Sequence, residues 1–184
     1  MSEPSTDPCV VREARRDERD AVRTLTLAAY AEYAAIMAPA SWTALDGAVR
    51  AALDVGFDAA TCLVAVRPGA PGGAPLGSVF LFPPATDAYG GLAGAPRWPE
   101  LRLLAVAPAA RGLGVGAALV AACAERARAM GADALGLHTS ASMRAAQRLY
   151  AALGFVRDRA RDFRPDGAEL VEGYRLPLGG PAAR

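Results

Sequence analysis

Residues 110–119 read ARGLGVGAAL, with three glycines at alternate positions behind Arg111 and ahead of an apolar run. The apolar run predicts a helix, and the preceding ELRLLAV segment predicts a strand. Backbone N–H groups lack partners where a helix begins, and the helix dipole adds partial positive charge there. Glycines remove the Cβ atoms that would hold an anion away from the backbone. The turn is therefore suited to a phosphate group.

Three interpretations of this turn follow from its residues. It can be a tight turn with nothing bound, which is common for an isolated glycine-rich segment. GLGVGA also fits the dinucleotide pattern G-x-G-x-x-G/A, but that motif needs an acidic residue at the end of the next strand, where this chain has His138 and Thr139. The third interpretation is a site for the pyrophosphate of an acyl-CoA. A P-loop is excluded because the chain has no lysine.

Length and composition indicate one globular domain. The chain has 184 residues, of which 53% are hydrophobic and 21% charged. We expect a single domain over residues 1–184, with disordered tails at 1–8 and 179–184. The formal net charge of +1 gives no electrostatic reason to expect nucleic acid or an anionic membrane as a partner. All 20 basic residues are arginine, which excludes Schiff-base chemistry.

The use of cysteine and histidine argues against disulfides and metal sites. Cys9, Cys62 and Cys123 stand far apart in the sequence, so we expect reduced, buried thiols. His138 is the only histidine, so no metal site is predicted. The polar N-terminus does not resemble a signal peptide, and no apolar run reaches the roughly 18 residues of a membrane span. We therefore expect a cytoplasmic protein.

Periodicity predicts the order β-α-α-β-β-β-α-β-α-β-β. Strands are expected at 9–14, 61–66, 76–82, 100–106, 134–138, 155–163 and 169–178. Helices are expected over 16–37, from a cap at Ser41 to near Gly56, over 114–130, and from a cap at Ser140 or Ser142 through Leu153. The segment 83–99 has no periodicity and is predicted to be a long loop.

Two segments resemble one known family. LAVAPAARGLGVGAALV (104–120) is similar to the acetyl-CoA motif of the GNAT superfamily of N-acyltransferases, whose pattern is Arg/Gln-x-x-Gly-x-Gly/Ala. MRAAQRLYAALGF (143–155) resembles a second family motif, N-x-x-A-x-x-L-Y-x-x-x-G-F. The resemblance implies an α/β fold of the α+β type: a central mixed, mostly antiparallel sheet of about six or seven strands, flanked on both faces by about four helices. It also implies acetyl-CoA as the acyl-donor cosubstrate.

The resemblance assigns cofactor-binding residues to the strand, the turn and the later helix. Backbone N–H groups of the turn would hold the pyrophosphate, and the strand would pair with the pantetheine arm, with the Val106 N–H polarising the thioester carbonyl. The cofactor-binding residues implied are Leu104, Ala105, Val106, Arg111, Gly112, Leu113, Gly114, Val115, Gly116, Ala117, Met143, Ala146 and Tyr150. Met143 replaces the asparagine usual in the family, which removes one hydrogen bond to the arm.

Tyr150 and Glu100 are the expected catalytic residues. Tyr150 matches the family tyrosine that donates a proton to the departing thiolate; the alternative is a core aromatic with its hydroxyl bonded. Glu100 begins the strand where some family members place a base, although a glutamate there can also be a solvated end residue. His138 is a further candidate, as a proton relay through water. The base can therefore be Glu100, His138 or water.

The acceptor is expected to be a primary amine of a small molecule, acetylated by direct attack in a ternary complex. Aromatic side chains at Tyr30, Tyr33, Trp42, Tyr89 and Trp98 are candidates for its walls. Two alternatives are a protein or peptide N-terminus as the acceptor, and a module that binds acyl-CoA without turnover. The sequence is compatible with a homodimer.

Overall fold

A computed structural model describes residues 9–69, 72–86, 89 and 91–179. The expected disordered tails lie outside these residues, apart from residue 179. The strands are β1 Val10–Glu13, β2 Thr61–Val66, β3 Gly77–Phe82, β4 Glu100–Val106, β5 Ala134–Ser140, β6 Val156–Arg157 and β7 Val171–Pro177. The α-helices are α1 Arg19–Ala31, α2 Pro39–Ala59, α3 Val115–Ala129 and α4 Arg144–Ala152.

The strands form one sheet in the order β1-β2-β3-β4-β5-β7-β6. Every neighbouring pair is antiparallel except β4 and β5, which are parallel. The predicted class, a mixed and mostly antiparallel sheet with about four helices, is therefore confirmed, as is the order of elements. None of the described helices combines the length and apolar character needed to cross a membrane.

Side chains that alternate along the central strands build a core on each face of the sheet. On β2, Leu63 and Ala65 pack with α3, whereas Val64 and Val66 pack with α1 and α2 on the other face. Both faces are apolar because helices cover both of them, so the central strands are nearly continuous hydrophobic runs. Cys9, Cys62 and Cys123 are buried, and none of them forms a disulfide within the described part of the chain.

A β-bulge interrupts the alternation on β4. Its register against β3 shifts between Ser78 and Phe80, and Leu103 has a φ of 57°. Leu101 packs into the core against α3, Leu103 packs into the opposite core, and Leu104 returns to the α3 side. The extra residue therefore places two consecutive side chains, those of Arg102 and Leu103, toward α1 and α2.

Several predicted helix ends were wrong because tertiary contacts override the local signals. Helix α2 begins at Pro39, whose fixed φ suits the first helical position, so Ser41 lies inside the helix and its hydroxyl accepts the Glu169 N–H at 2.8 Å. Gly56 does not end α2: a Cβ there would lie 2.9 Å from the Phe80 ring, so this glycine allows the helix to pack closely. Helix α4 begins after Met143, with no side-chain cap from Ser140 or Ser142.

Glu18 anchors β1 to the start of α1. Its carboxylate accepts two hydrogen bonds of 2.7 Å from the Arg12 guanidinium and one of 2.8 Å from the Arg15 N–H. These bonds hold the pKa of Glu18 at about 2, well below its ordinary value, with the Arg12 bond as the largest cause.

We predict that Glu18→Gln lowers the free energy of unfolding by about 3 kcal/mol at pH 7. Because the folded-state pKa is depressed, this stabilisation is complete above the ordinary carboxyl pKa and is lost as pH falls through about 2. Denaturant unfolding at pH 7 and pH 3 should therefore show a smaller difference from wild type at pH 3. Asp17→Asn, at an exposed carboxylate, is the control and should change stability little at either pH. An effect of Glu18→Gln that is equal at both pH values would contradict this assignment.

Candidate functional site

The two central strands separate almost as soon as they meet. β4 and β5 share one paired position, Glu100 with Gly136, and the Gly136 N–H donates to the Pro99 carbonyl at 2.9 Å. Beyond that point the β5-facing edge of β4 has no strand partner among the described residues. The sheet is thus open along residues 104–106, and its backbone polar groups there are available to a ligand.

The Val106 N–H faces this opening. The next residue, Ala107, donates its N–H to the Leu76 carbonyl at 2.9 Å, in the direction of β3. Successive N–H groups point to opposite edges of an extended strand, so the Val106 N–H points away from β3. The N–H expected to polarise a thioester carbonyl is therefore directed into the gap between the strands.

The glycine turn connects β4 to α3 and leaves its donors unused. Gly112 and Gly114 have φ values of 77° and 80°, a left-handed conformation that favours glycine. Gly114 immediately precedes Val115, the first residue of α3. Within the described part of the chain, the N–H groups of residues 112–117 donate to no other group. They form a cluster of donors at the positive end of the α3 dipole, which suits an anion.

A groove of about 1050 Å³, hereafter the groove, joins the strand edge to the turn. Of the predicted cofactor-binding residues, those lining it are Leu104, Ala105, Val106, Arg111, Gly112, Gly114, Val115, Gly116, Ala117 and Ala146. Leu113 is not among the lining residues and is 50% exposed. Across the groove, the Arg111 guanidinium forms two hydrogen bonds of 2.9 and 3.0 Å with Glu32.

Tyr150 lies beside the groove but does not line it. It is buried in the α3-side core, with its ring centroid 5.5 Å from that of Phe155. Ala146, one turn earlier on α4, lines the groove. Burial, together with the nearby hydroxyls of Tyr30 and Tyr33, raises the pKa of Tyr150 well above its ordinary value. The phenol is therefore protonated at neutral pH and is available as a donor.

Glu100 lies in a closed polar cluster below the opening. It is 2% exposed, and its carboxylate accepts a 3.0 Å hydrogen bond from Arg161. Burial raises its pKa, and the Arg161 and Arg102 charges oppose that shift. Glu100 lines neither the groove nor the smaller cavity described below. The structure therefore does not bring this expected base together with the other predicted site residues.

His138 is also directed into the protein. Its Nε2 lies 2.9 Å from the Arg161 carbonyl oxygen, and its buried Nδ1 lies 3.5 Å from Glu100. Burial lowers the pKa of His138 to about 4, so the ring is neutral at pH 7 and can donate from Nε2 to the carbonyl. Neither ring nitrogen is available for a proton relay in the groove.

A second cavity of about 130 Å³, hereafter the inner cavity, adjoins the groove at Tyr30, which lines both. Its walls come from α1, α2, the bulged part of β4, the end of β5 and the segment before β7. Met143 lines this cavity rather than the groove, and its sulfur accepts a hydrogen bond from the Thr139 hydroxyl. Of the candidate aromatic walls, Tyr33 lines the groove, Tyr89 lines the inner cavity, and Trp42 and Trp98 line neither.

Sequence reasoning missed two charged residues of the inner cavity. Arg102 could have been singled out from the sequence, because it is a charged residue in the middle of the apolar strand ELRLLAV. Glu169 accepts hydrogen bonds from the hydroxyls of Ser140 at 2.9 Å and Ser142 at 3.0 Å. These bonds tie the segment before β7 to the end of β5, and no local pattern predicts them.

Comparison with known proteins decides the family. The model of the acetyltransferase (GNAT) family matches residues 23–155, which include β4, the glycine turn and α4. The chain belongs to the GNAT acetyltransferase family. No curated protein matches the sequence closely enough to count as a relative.

Solved structures of GNAT proteins share this fold. An acetyltransferase of the GNAT family from Staphylococcus aureus superimposes with a TM-score of 0.66 at 14% identity, covering 93% of this chain and 99% of the other. A GNAT family acetyltransferase from Brucella melitensis in complex with acetyl-CoA has a TM-score of 0.56 at 21% identity, covering 97% and 93%. A ribosomal-protein-alanine N-acetyltransferase from Escherichia coli has a TM-score of 0.61 at 18% identity, covering 96% and 99%.

We predict opposite effects for two Gly→Ala substitutions. Gly114→Ala places a side chain at a φ of 80° and should lower the free energy of unfolding by about 1–2 kcal/mol. Gly47→Ala lies inside α2, where a Cβ meets nothing within 4 Å, and should raise stability by about 0.5–1 kcal/mol. Denaturant unfolding measures both. If Gly114→Ala were as stable as wild type, the left-handed turn would not be required.

Proposed function

We propose that this GNAT protein is an N-acetyltransferase that transfers the acetyl group of acetyl-CoA to a primary amine of a small molecule. The observation that carries the proposal is the continuity of the groove. It runs from the unused N–H groups of residues 112–117 to the open edge of β4 at Val106. A phosphate-binding turn and an extended strand edge on one groove suit a ligand with a pyrophosphate and an amide-bearing arm.

The turn would hold the pyrophosphate, and β4 would hold the arm. The N–H groups of the turn and the α3 dipole supply positive potential without a lysine. Arg111 can add charge if it exchanges Glu32 for the cofactor, because that ion pair is exposed and exchangeable. The backbone of residues 104–106 would pair with the pantetheine amides, which places the thioester near Val106. The acetyl-CoA complex of the Brucella melitensis neighbour supports this choice of cofactor.

The chemical step needs few groups. The neutral amine attacks the thioester carbonyl, and the Val106 N–H stabilises the oxyanion. A C–N bond forms as the C–S bond breaks, and Tyr150 donates its proton to the departing thiolate. We assign removal of the amine proton to water in the groove, because Glu100 is bonded to Arg161, His138 Nε2 is bonded to the Arg161 carbonyl, and His138 Nδ1 is buried away from the groove. Glu100 then has a structural role: it accepts a hydrogen bond from Arg161 at the position where β4 pairs with β5.

The small size of the inner cavity favours a small acceptor over a peptide. A volume of about 130 Å³ holds only a few non-hydrogen atoms, whereas a protein N-terminus needs an open channel for the following residues. A tyrosine at the position of the family's proton donor favours catalysis over binding without turnover. A cytoplasmic location and a homodimer stay predictions.

We predict that Tyr150→Phe lowers kcat by about 10²- to 10⁴-fold, because the thiolate then leaves without its proton donor. Acetyl-CoA binding should stay near wild type, since the ring and its packing are retained. Release of free CoA thiol over a panel of small amines and N-terminal peptides measures turnover, and calorimetry measures acetyl-CoA binding.

Tyr174→Phe is the matched control for this measurement. Its hydroxyl bonds to Glu172 at 2.8 Å on β7, and it lines neither the groove nor the inner cavity, so the rate should be unchanged. A Tyr150→Phe variant with the wild-type rate, with chemistry shown to be rate-limiting, would remove Tyr150 as the acid. Acetylation of peptides alone would contradict the small-molecule acceptor.

A further inference from the structure

Arg102 is a buried cation on β4. It is only 9% exposed, and no ion pair among the described residues includes it. Three other arginines that are partly buried are paired: Arg12 with Glu18, Arg157 with Asp162 and Arg161 with Glu100.

The surroundings of Arg102 stabilise a cation without neutralising it. The guanidinium carbon lies 4.4 Å from the centroid of the Tyr89 ring and 5.1 Å from that of Phe82. Such cation–π contacts offset only part of the free-energy cost of burying a charge. Glu100, two residues earlier on β4, is bonded to Arg161. Among the described residues, the guanidinium therefore has the charge of Glu100 nearby but no carboxylate within ion-pair distance.

The bulge on β4 directs Arg102 to the inner cavity. Because the extra residue turns Arg102 and Leu103 to the same face, both line this cavity, while Leu104 lines the groove. A regular strand would place only one of these two residues on that face. The bulge thus places Arg102 in the wall of the inner cavity, which adjoins the groove at Tyr30.

Besides Arg102, the described walls of the inner cavity carry one charged group, the Glu169 carboxylate. Within the described part of the chain, Arg102 is its one cationic side chain at neutral pH, and Glu169 is its one carboxylate. Glu169 is already bonded to the hydroxyls of Ser140 and Ser142. The other walls are mostly apolar side chains, including Leu103. This chemistry fits a small molecule with one carboxylate and a short aliphatic body.

We propose that the amine acceptor is a small amino acid whose carboxylate is bound by the guanidinium of Arg102. The inference rests on the proposed function and adds the class of substrate. The carboxylate enters the inner cavity and forms a charge-assisted, bidentate pair with the guanidinium. The amine is then directed back toward the thioester at Val106. The apolar walls limit the size of the acceptor's side chain.

The experiment compares each acceptor with its own uncharged analogue. Wild-type protein and Arg102→Met are assayed with acetyl-CoA and amino acids from glycine to γ-aminobutyrate, each as the free acid and as the primary amide. Wild type should favour the best acid over its amide by on the order of 10²-fold in kcat/KM, and Arg102→Met should lose that preference. Arg102→Lys should keep part of it. Arg50→Met, at an exposed arginine of α2 that pairs with Asp46, should keep all of it.

Equal rates for acids and amides in wild type would overturn the proposal. This comparison needs no variant, so it holds even if Arg102→Met fails to fold. An equal loss for both forms in Arg102→Met would show a structural role for the cation and would also overturn it. Succinyl-CoA is tested as a second acyl donor. If Arg102→Met lowers the rate only with this donor, Arg102 binds the carboxylate of the acyl group and the acceptor assignment is wrong.

A binding measurement separates this inference from the proposed function. If no amine leads to the release of CoA thiol, the proposed function fails. Calorimetry on CoA-saturated protein then still tests whether Arg102 binds a carboxylate. N-acetyl amino acids should bind at least tenfold more tightly than their amides to wild type, and equally to Arg102→Met. Equal binding of acid and amide to wild type would contradict the carboxylate site.

Discussion

The single backbone pairing between Glu100 and Gly136 is the constraint on which the candidate site depends. Parallel strands that stayed paired would satisfy their backbone groups against each other and leave nothing for a ligand. Here β4 stays bonded to β3 and β5 stays bonded to β7, while the two strands separate from each other. The opening exposes the Val106 N–H at the end of β4, and the glycine turn continues from the same strand. The groove and the proposed position of the thioester thus both depend on one break in the sheet.

Bulky and charged groups at the junction keep the strands in this arrangement. Trp98 packs over Gly136 so closely that a Cβ there would lie 2.6 Å from the indole Nε1. Glu100 is buried beside it and is held by Arg161, whose backbone carbonyl also bonds to His138. These contacts fix the one position where β4 and β5 meet. The carboxylate of Glu100 is thus part of the junction, and its role as a base stays a prediction.

The sequence predicted the parts of the site that local patterns encode. The glycines of residues 112–116 and the LYAALGF segment predicted the turn and the family, because each is a local pattern of backbone or helix, whereas the role of Tyr150 stays a prediction. The inner cavity was missed because it depends on a bulge. At the bulge, the consecutive residues Leu103 and Leu104 pack on opposite faces of the sheet. Two leucines in a row do not reveal a bulge in the sequence, because a strand that is buried on both faces is apolar at every position. Ser140 and Ser142 were misassigned as caps because their partner, Glu169, is distant in sequence.

The most direct test of this account is the response of backbone amides to acetyl-CoA, measured by NMR on ¹⁵N-labelled protein. Addition of acetyl-CoA should shift the N–H resonances of Leu104 and Val106, which face the gap, together with those of residues 112–117. The resonances of α2 residues on the opposite face of the sheet, such as Gly47, should be unchanged. Shifts in the turn that leave Val106 untouched, or shifts confined to another face of the protein, would contradict the central claim that the parted strands hold the thioester.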